Sequence, residues 1–282
     1  MASTLEAPAA VEPAAPPRPA RRGPVRKVAG QAAALLRRTA AIVALLAVWE
    51  LAPRAGLVDR TFLPPLSEIV PALWELARDG RLWSNTEASL TRSLTGFALA
   101  IVVAVPLGLL IGWYRPVAEL LGPLLELFRN TAAIALLPVF ILILGIGETS
   151  KVAIVLYACT WPILLNTISA VRTVDPTLVK AARSLGLPVP RIFQKVVLPA
   201  AVPTVFTGIR LAGATAVLVM IVAEMVGAKE GLGHLINASQ QNFAIQDMYA
   251  GIIAISVIGL LFNHLLVLIE RRFTRGQASV RR

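Results

Sequence analysis

From Thr95 to Trp113 the chain runs without one charged side chain and is dominated by Leu, Ile, Val and Ala. A run of that length and character is suited to a hydrocarbon layer about 30 Å thick. Inside lipid every backbone N–H and C=O needs a partner within the chain, which restricts a spanning segment to helix or closed barrel. Five further apolar runs follow the same plan, at about Thr39–Leu57, Thr131–Leu144, Val152–Val171, Val205–Val226 and Met248–Leu268. None shows the alternation of a barrel strand. The expected fold class is therefore all-α, a polytopic membrane helical bundle of about six transmembrane helices. The run at Thr131–Leu144 is short for a crossing, so its helix is expected to borrow residues from either side.

Composition agrees. The chain is 56% hydrophobic and 15% charged, against about 25% charged in soluble domains, and its mean hydropathy is +0.72. A formal charge of +11 invites a nucleic-acid partner, but no aromatic-basic interleaving accompanies it, and none is expected. Clustering at membrane-flanking ends accounts for the charge. The N-terminal segment through Arg38, the central loop, and a C-terminal tail with Arg271, Arg272, Arg275, Arg281 and Arg282 hold most basic residues. The turns at 145–151 and 227–247 hold only Lys151 and Lys229. Both termini are thus expected on the cytoplasmic side. The first outer loop is a partial exception, with Arg54, Arg60, Arg78, Arg81 and Arg92 offset by acids such as Asp59, Glu68, Glu75 and Asp79.

The domain plan is a disordered basic tail at 1–36, a transmembrane domain at 37–272 with a cytoplasmic loop at 172–202, and a basic tail at 273–282. Arg37 and Arg38 before an apolar run also permit a twin-arginine signal as a rival reading of the N-terminus. Between Phe62 and Trp83, Leu66, Ile69, Leu73 and Leu76 recur at steps of three and four, the mark of an amphipathic helix on the outer interface. Gly96, Pro106, Gly108 and Gly112 favour close packing and a kink in the second span. Cys159 is the single cysteine, so no intrachain disulfide can form; within an apolar run it reads as a buried structural thiol.

The central loop carries the most specific pattern. Lys180 to Pro199 reads KAARSLGLPVPRIFQKVVLP. Asp175 and Pro176 supply an N-cap and first helical residue, Leu178, Val179, Ala182 and Leu185 form an apolar face, and Gly186 with Pro188 ends the helix. A second short helix is expected from Pro190 to before Pro199, with Ile192, Phe193, Val196 and Val197 on one side and Arg191, Gln194 and Lys195 on the other. Pattern alone leaves two readings open, a surface built to be gripped by a partner and a basic helix pair lying on anionic lipid.

The residue order resembles the EAA motif of the permease subunits of bacterial ABC importers. Ala181, Ala182, Gly186, Leu198 and Pro199 stand at the motif's spacing, with Lys180 where the family usually has Glu and Val196 where it has Ile. A second run, VAEMVGAKEGLGHLI, is similar to the taurine, aliphatic sulfonate and nitrate branch of that family, as are SLTRSLTGFALA, ILGIGETSK and TVDPTLVKAARSLG; the resemblance covers about residues 85–270. It implies that Lys180, Ala181, Ala182, Arg183, Gly186, Val196, Leu198 and Pro199 form a coupling helix seated on a separate ATPase dimer. Lys180 reverses a charge that in the family meets a basic residue of the ATPase. The resemblance further implies an extracytoplasmic solute-binding protein, a second permease copy, most simply a homodimer, and the inner membrane of a bacterium. ATP and Mg belong on the ATPase, and no cofactor is expected on this chain. The implied cargo is a small anion such as a sulfonate, taurine or nitrate; thiamine-precursor pyrimidines or riboflavin-type compounds are the alternative.

Polar residues inside spans are candidates for the translocation path: Asn166, Glu224 and Asn263. Glu224, near an outer end, alternatively snorkels or pairs with a base, and Asn166, Asn263 and His264 alternatively bond across helices. Arg210 is expected to snorkel to the inner surface. GIGETSK lacks phosphate-loop spacing and reads as a tight outer turn. His234 has no ligand partners at useful spacing, so no metal site is expected. Two other classes stay in view. A secondary transporter or channel would want paired intramembrane acids and internal repeats. An intramembrane enzyme would want a nucleophile and base, for which Ser256 with His264 is a weak candidate; no catalytic residue is expected.

Overall fold

The computed structural model describes residues 40–274, and each apolar run within them is largely helix, with no strand among the described residues. The expected tail at 1–36, the Arg37–Arg38 pair and most of the C-terminal tail lie outside them. Helix α1 covers 40–54. It is followed by α2 (Leu66–Arg78), α3 (Arg81–Trp113), α4 (Arg115–Arg129), a 3₁₀ turn (Ala133–Leu136) leading into α5 (Leu137–Leu144), and α6 (Glu148–Arg172). Then come α7 (Pro176–Ser184), α8 (Val189–Ile192), a π-turn (Phe193–Val197), α9 (Leu198–Met225), α10 (Leu232–Gln241) and α11 (Ile245–Thr274).

Four helical stretches among the described residues are long and apolar enough to cross a membrane: α3, α6, Val189–Met225 and α11. The α4–α5 pair makes a fifth only as a broken span, bent by 84°. Thr131–Leu144 therefore does not lengthen into one straight helix as its shortness led us to expect. The chain turns at Asn130–Ala132 and stops again at Gly145, whose φ is +80°.

The bundle is built on α6, which lies between α3 and α9. Small residues bring these helices together, as packing between helices in lipid requires. A Cβ on Gly96, Gly108 or Gly112 of α3 would come within 2.8, 2.6 and 2.8 Å of the Cβ atoms of Val155, Thr167 and Val171 on α6. On the other side Gly208 of α9 sits against Asn166 and the Pro162 carbonyl. Ala100, Ala104, Ala158, Ala212 and Ala216 complete this core.

A second cluster closes one end of the bundle. Ile69 and Leu76 of α2 pack with Leu232 and Leu235 of α10 and Ala250 and Ala254 of α11. Leu66 and Leu73 share that face of α2, while Trp74 points away. The amphipathic helix is thus as the periodicity reads, but it stops at Arg78. Gly80, at φ +80°, breaks the chain, and Arg81 to Trp83 open α3 instead.

Three more elements differ from expectation. GIGETSK is half turn and half helix, because Glu148 to Lys151 form the acidic first turn of α6, where a carboxylate complements the helix dipole. The loop at 227–247 holds α10, whose Leu232, Leu235 and Ile236 are buried at helical spacing. The helix from Pro190 does not end before Pro199. Pro199 has no N–H to offer and would crowd the carbonyl four residues back. The chain widens into a π-turn, in which the Leu198 N–H reaches the Phe193 carbonyl, and continues as helix from Val189 to Met225.

Candidate functional site

Helix α7 is a capped unit outside the bundle. The Asp175 carboxylate accepts from the Thr177 backbone N–H at 2.8 Å, and that bond holds its carboxyl below the usual carboxylate range. Pro176 occupies the first turn. At the other end Gly186, at φ +73°, lets its own N–H reach Arg183 O at 2.9 Å and the Leu187 N–H reach Ala182 O at 3.2 Å. This pair of bonds is the Schellman stop, and its positive φ is the reason for glycine.

Val179 and Ala182 turn inward, Ala182 being 6% exposed. Val179 rests on a patch of Ala170, Val171, Val197, Ala201 and Val205 that joins α6 to α9. Leu178 and Leu185, expected on the same face, instead point out at 50% and 79% exposure, with Val189 beside them in sequence order at 55%. A nine-residue helix has room for a narrow buried stripe, and its cap residue Leu185 lies past the end of the support.

The result is an outward apolar ledge accompanied by Lys180, Arg183 and Arg191, all exposed. The motif residues therefore divide. Lys180, Ala181, Arg183, Gly186 and Pro199 are at the surface, Val196 and Leu198 are half-buried, and Ala182 holds the ledge down.

At the opposite end lies a buried charge network. Asn85, Ser89 and Arg92 form one stripe of α3, recurring at steps of four and three. Glu224 of α9 is fully buried. Its carboxylate accepts from Ser89 Oγ at 2.7 and 2.9 Å, from Arg92 Nη1 at 2.8 Å and from the Gly233 N–H at 3.0 Å. Ser89 Oγ in turn accepts from the Leu232 N–H, and Asn85 Oδ1 from the Gly231 N–H. The open N–H groups at the start of α10 are thus met by α3 and α9.

Arg92 also donates from Nη1 to the Glu230 carbonyl at 2.6 Å and from Nη2 to Glu148 at 2.8 Å, with its Nε on the other Glu148 oxygen. Lys151, 5% exposed, stands 3.7 Å from Glu148 and donates to the Gly147 carbonyl. Six ionised or polar side chains, Asn85, Ser89, Arg92, Glu148, Lys151 and Glu224, thereby tie together α3, α6, α9 and α10.

Of the candidate path residues, Glu224 presents no free oxygen in this conformation, because the network takes both. Asn166 donates within its own helix, to Pro162 O at 2.8 Å, rather than across to another. Asn263 and His264 are exposed on α11. Arg210, near the middle of α9, pairs with Glu270 of α11 at 3.2 Å, a link that the sequence did not suggest. Ser256 donates to Ile252 O in its own helix. Cys159 is fully buried, its thiol against the Ala212 carbonyl at 3.4 Å.

Sequence reasoning counted Arg92 only as an outer-loop charge and passed over Ser89 and Glu148. The available signal was the Asn85, Ser89, Arg92 spacing on an otherwise apolar helix.

A family model described as the binding-protein-dependent transport system inner membrane component matches residues 104–277. The taurine transport system permease protein TauC of Escherichia coli K12 is 30% identical over 244 residues, 85% of this chain and 89% of that protein. A putative aliphatic sulfonates transport permease protein, SsuC of Bacillus subtilis 168, is 32% identical over 235 residues, 83% of this chain and 85% of its own. Among solved structures, the MetNI methionine ABC transporter in an inward-facing conformation aligns with a TM-score of 0.59 at 22% identity. That alignment covers 72% of this chain and 98% of the other, and is a likeness of fold.

Proposed function

Because this chain belongs to the family of binding-protein-dependent transport system inner membrane components, we propose that it carries a small sulfonate-class anion through an ATP-driven importer. In this reading a separate ATPase supplies the work through α7. The observation that carries it is the capped ledge, a rigid short helix held outside the bundle with Leu178, Leu185 and Val189 exposed. Exposed leucines on a capped helix suit a partner's groove, and the flanking Lys180, Arg183 and Arg191 suit an acidic rim to it.

The cargo class rests on the relatives named for taurine and aliphatic sulfonates. The proposed orientation, with the ledge on the cytoplasmic side and the Arg92–Glu224 network on the outer side, is supported by the lysine and arginine distribution. A solute-binding protein would meet that outer end. A second copy of the chain would complete the pathway, with the exposed Leu142, Ile143 and Ile146 as part of the apolar surface available to it. Movement of the ledge with the ATPase would shift the bundle between two packings.

The test uses cysteine at Leu185, which is 79% exposed, in the chain co-expressed with a candidate partner ABC ATPase from the same organism. A crosslink to the ATPase that changes with ATP is the expected result. Absence of any crosslink in an assembled, folded complex would return the ledge to the lipid surface.

A further inference from the structure

Two clefts meet at Trp113. One, of 590 Å³, is lined by Gly112, Trp113, Arg115, Ala118, Glu119 and Arg172. The other, of 410 Å³, lies between the end of α3 and the π-turn, with Pro106, Leu109, Leu110 and Phe193 among its walls. The first is mainly polar and the second mainly apolar. From Trp113 to Pro106 the groove follows α3 for about 10 Å at the helical rise, leading from the helix end toward the middle of the span.

The charges in the first cleft are unmet. Arg115 and Arg172 are exposed and their side chains enter no ion pair or hydrogen bond among the described residues. Glu119 is the single acid at the rim, so the cleft keeps a net positive charge. Trp113 and Tyr114 at the junction are the residue types that favour the level of lipid headgroups.

We propose that the paired clefts bind one anionic phospholipid, its phosphate between Arg115 and Arg172 and an acyl chain in the groove along α3. A small soluble anion would satisfy the arginines and leave the groove empty. A neutral lipid would fill the groove and leave the arginines bare. The amphipathic order, cation at the helix end and apolar wall toward mid-membrane, matches a lipid's own order. On the orientation proposed above the leaflet is the cytoplasmic one. The lipid would then touch α3 and the π-turn that carries α8, so headgroup charge would bear on the ledge.

The test is the full-length permease with its ATPase in nanodiscs of phosphatidylcholine doped with phosphatidylglycerol, extracted for native mass spectrometry. Retained phosphatidylglycerol is expected on the wild type. In the double variant Arg115→Gln/Arg172→Gln retention should fall about thirtyfold, from the loss of two headgroup cations. Both arginines are exposed, so the variant folds; Leu110→Gln on the groove wall should weaken retention separately. Equal retention by the double variant overturns the proposal. So does competition by inorganic phosphate or taurine at the strength of the lipid, or a Leu110-to-Leu110 cysteine crosslink between copies showing the groove closed by a second chain.

Discussion

Removing both members of the Arg92–Glu224 pair should cost less than the sum of the two single losses. Glu224 is 0% exposed and Arg92 7% exposed, and their atoms stand 2.8 Å apart. Arg92→Met leaves the Glu224 carboxylate buried with only the Ser89 hydroxyl and the Gly233 N–H to meet it. Glu224→Leu strands that N–H and leaves Arg92 to Glu148 and the Glu230 carbonyl. Breaking a buried pair in this way costs about 3–5 kcal/mol. The double variant Arg92→Met/Glu224→Leu buries no unmatched charge. It should fall short of the summed single losses by about 1–3 kcal/mol, the coupling expected of directly bonded groups. The assay is equilibrium unfolding of the purified protein in detergent, by near-ultraviolet signal against denaturant, run as a four-member cycle. A surface pair such as Arg129–Glu126, half-exposed or more on both sides, serves as the comparison and should couple by less than about 1 kcal/mol. Single losses that simply add would refute the reasoning, since then neither group depends on the other.

Four further outcomes rest on local geometry. Gly108→Val puts side-chain atoms where Thr167 stands, 2.6 Å from the added Cβ, and should destabilise the bundle by at least about 1–3 kcal/mol. Gly122→Ala on α4, with nothing within 4 Å, should be neutral or slightly stabilising, and melting temperatures compare the two. Gly186→Ala places a side chain at φ +73° at a cost of about 1–2 kcal/mol; faster amide exchange in 182–187 with intact membrane insertion is expected, and unchanged exchange would argue against the Schellman stop. Because Asp175 is held below its ordinary value by the Thr177 N–H, its cap is fully present at neutral pH and is lost as pH falls through that lowered value. Exchange at Thr177 should therefore rise only below the usual carboxylate range, and Asp175→Asn should remove the pH dependence while keeping an acceptor.

Apolar runs, periodicity and cap residues were enough to find α3, α6, α9 and α11, the amphipathic helix and the caps of α7, because each is specified within a few residues of its own position. Asp175, Pro176 and Gly186 act on neighbours, and Leu66, Ile69, Leu73 and Leu76 mark a face whatever lies against it. What periodicity could not carry was pairing between distant residues. Ser89 and Glu224 are far apart in sequence, and nothing near either one names the other. The direction of Leu178 and Leu185 failed for a related reason: an apolar residue on a short helix faces inward only if support exists beneath it, and the support here reaches Val179 and Ala182. The break at Pro199 failed because proline was read as a stop, whereas a widened turn satisfied the backbone and let the helix run on.

That widened turn sets an azimuth. A π-turn holds one residue more than α-helical winding would use, and one residue corresponds to about 100° of rotation and 1.5 Å of advance. Helix α9 is keyed to α6 through Gly208, so any rewinding must be taken up on the α8 side. Rewinding the same residues as regular α-helix would swing Val189, with the ledge behind it, roughly a quarter-turn around the helix axis, whereas deleting Gln194 would restore regular winding and keep the present bearing. The compass bearing of the ledge relative to the bundle is thus written in how one surplus residue is wound, and a chain could re-aim it without altering any side chain on the ledge itself.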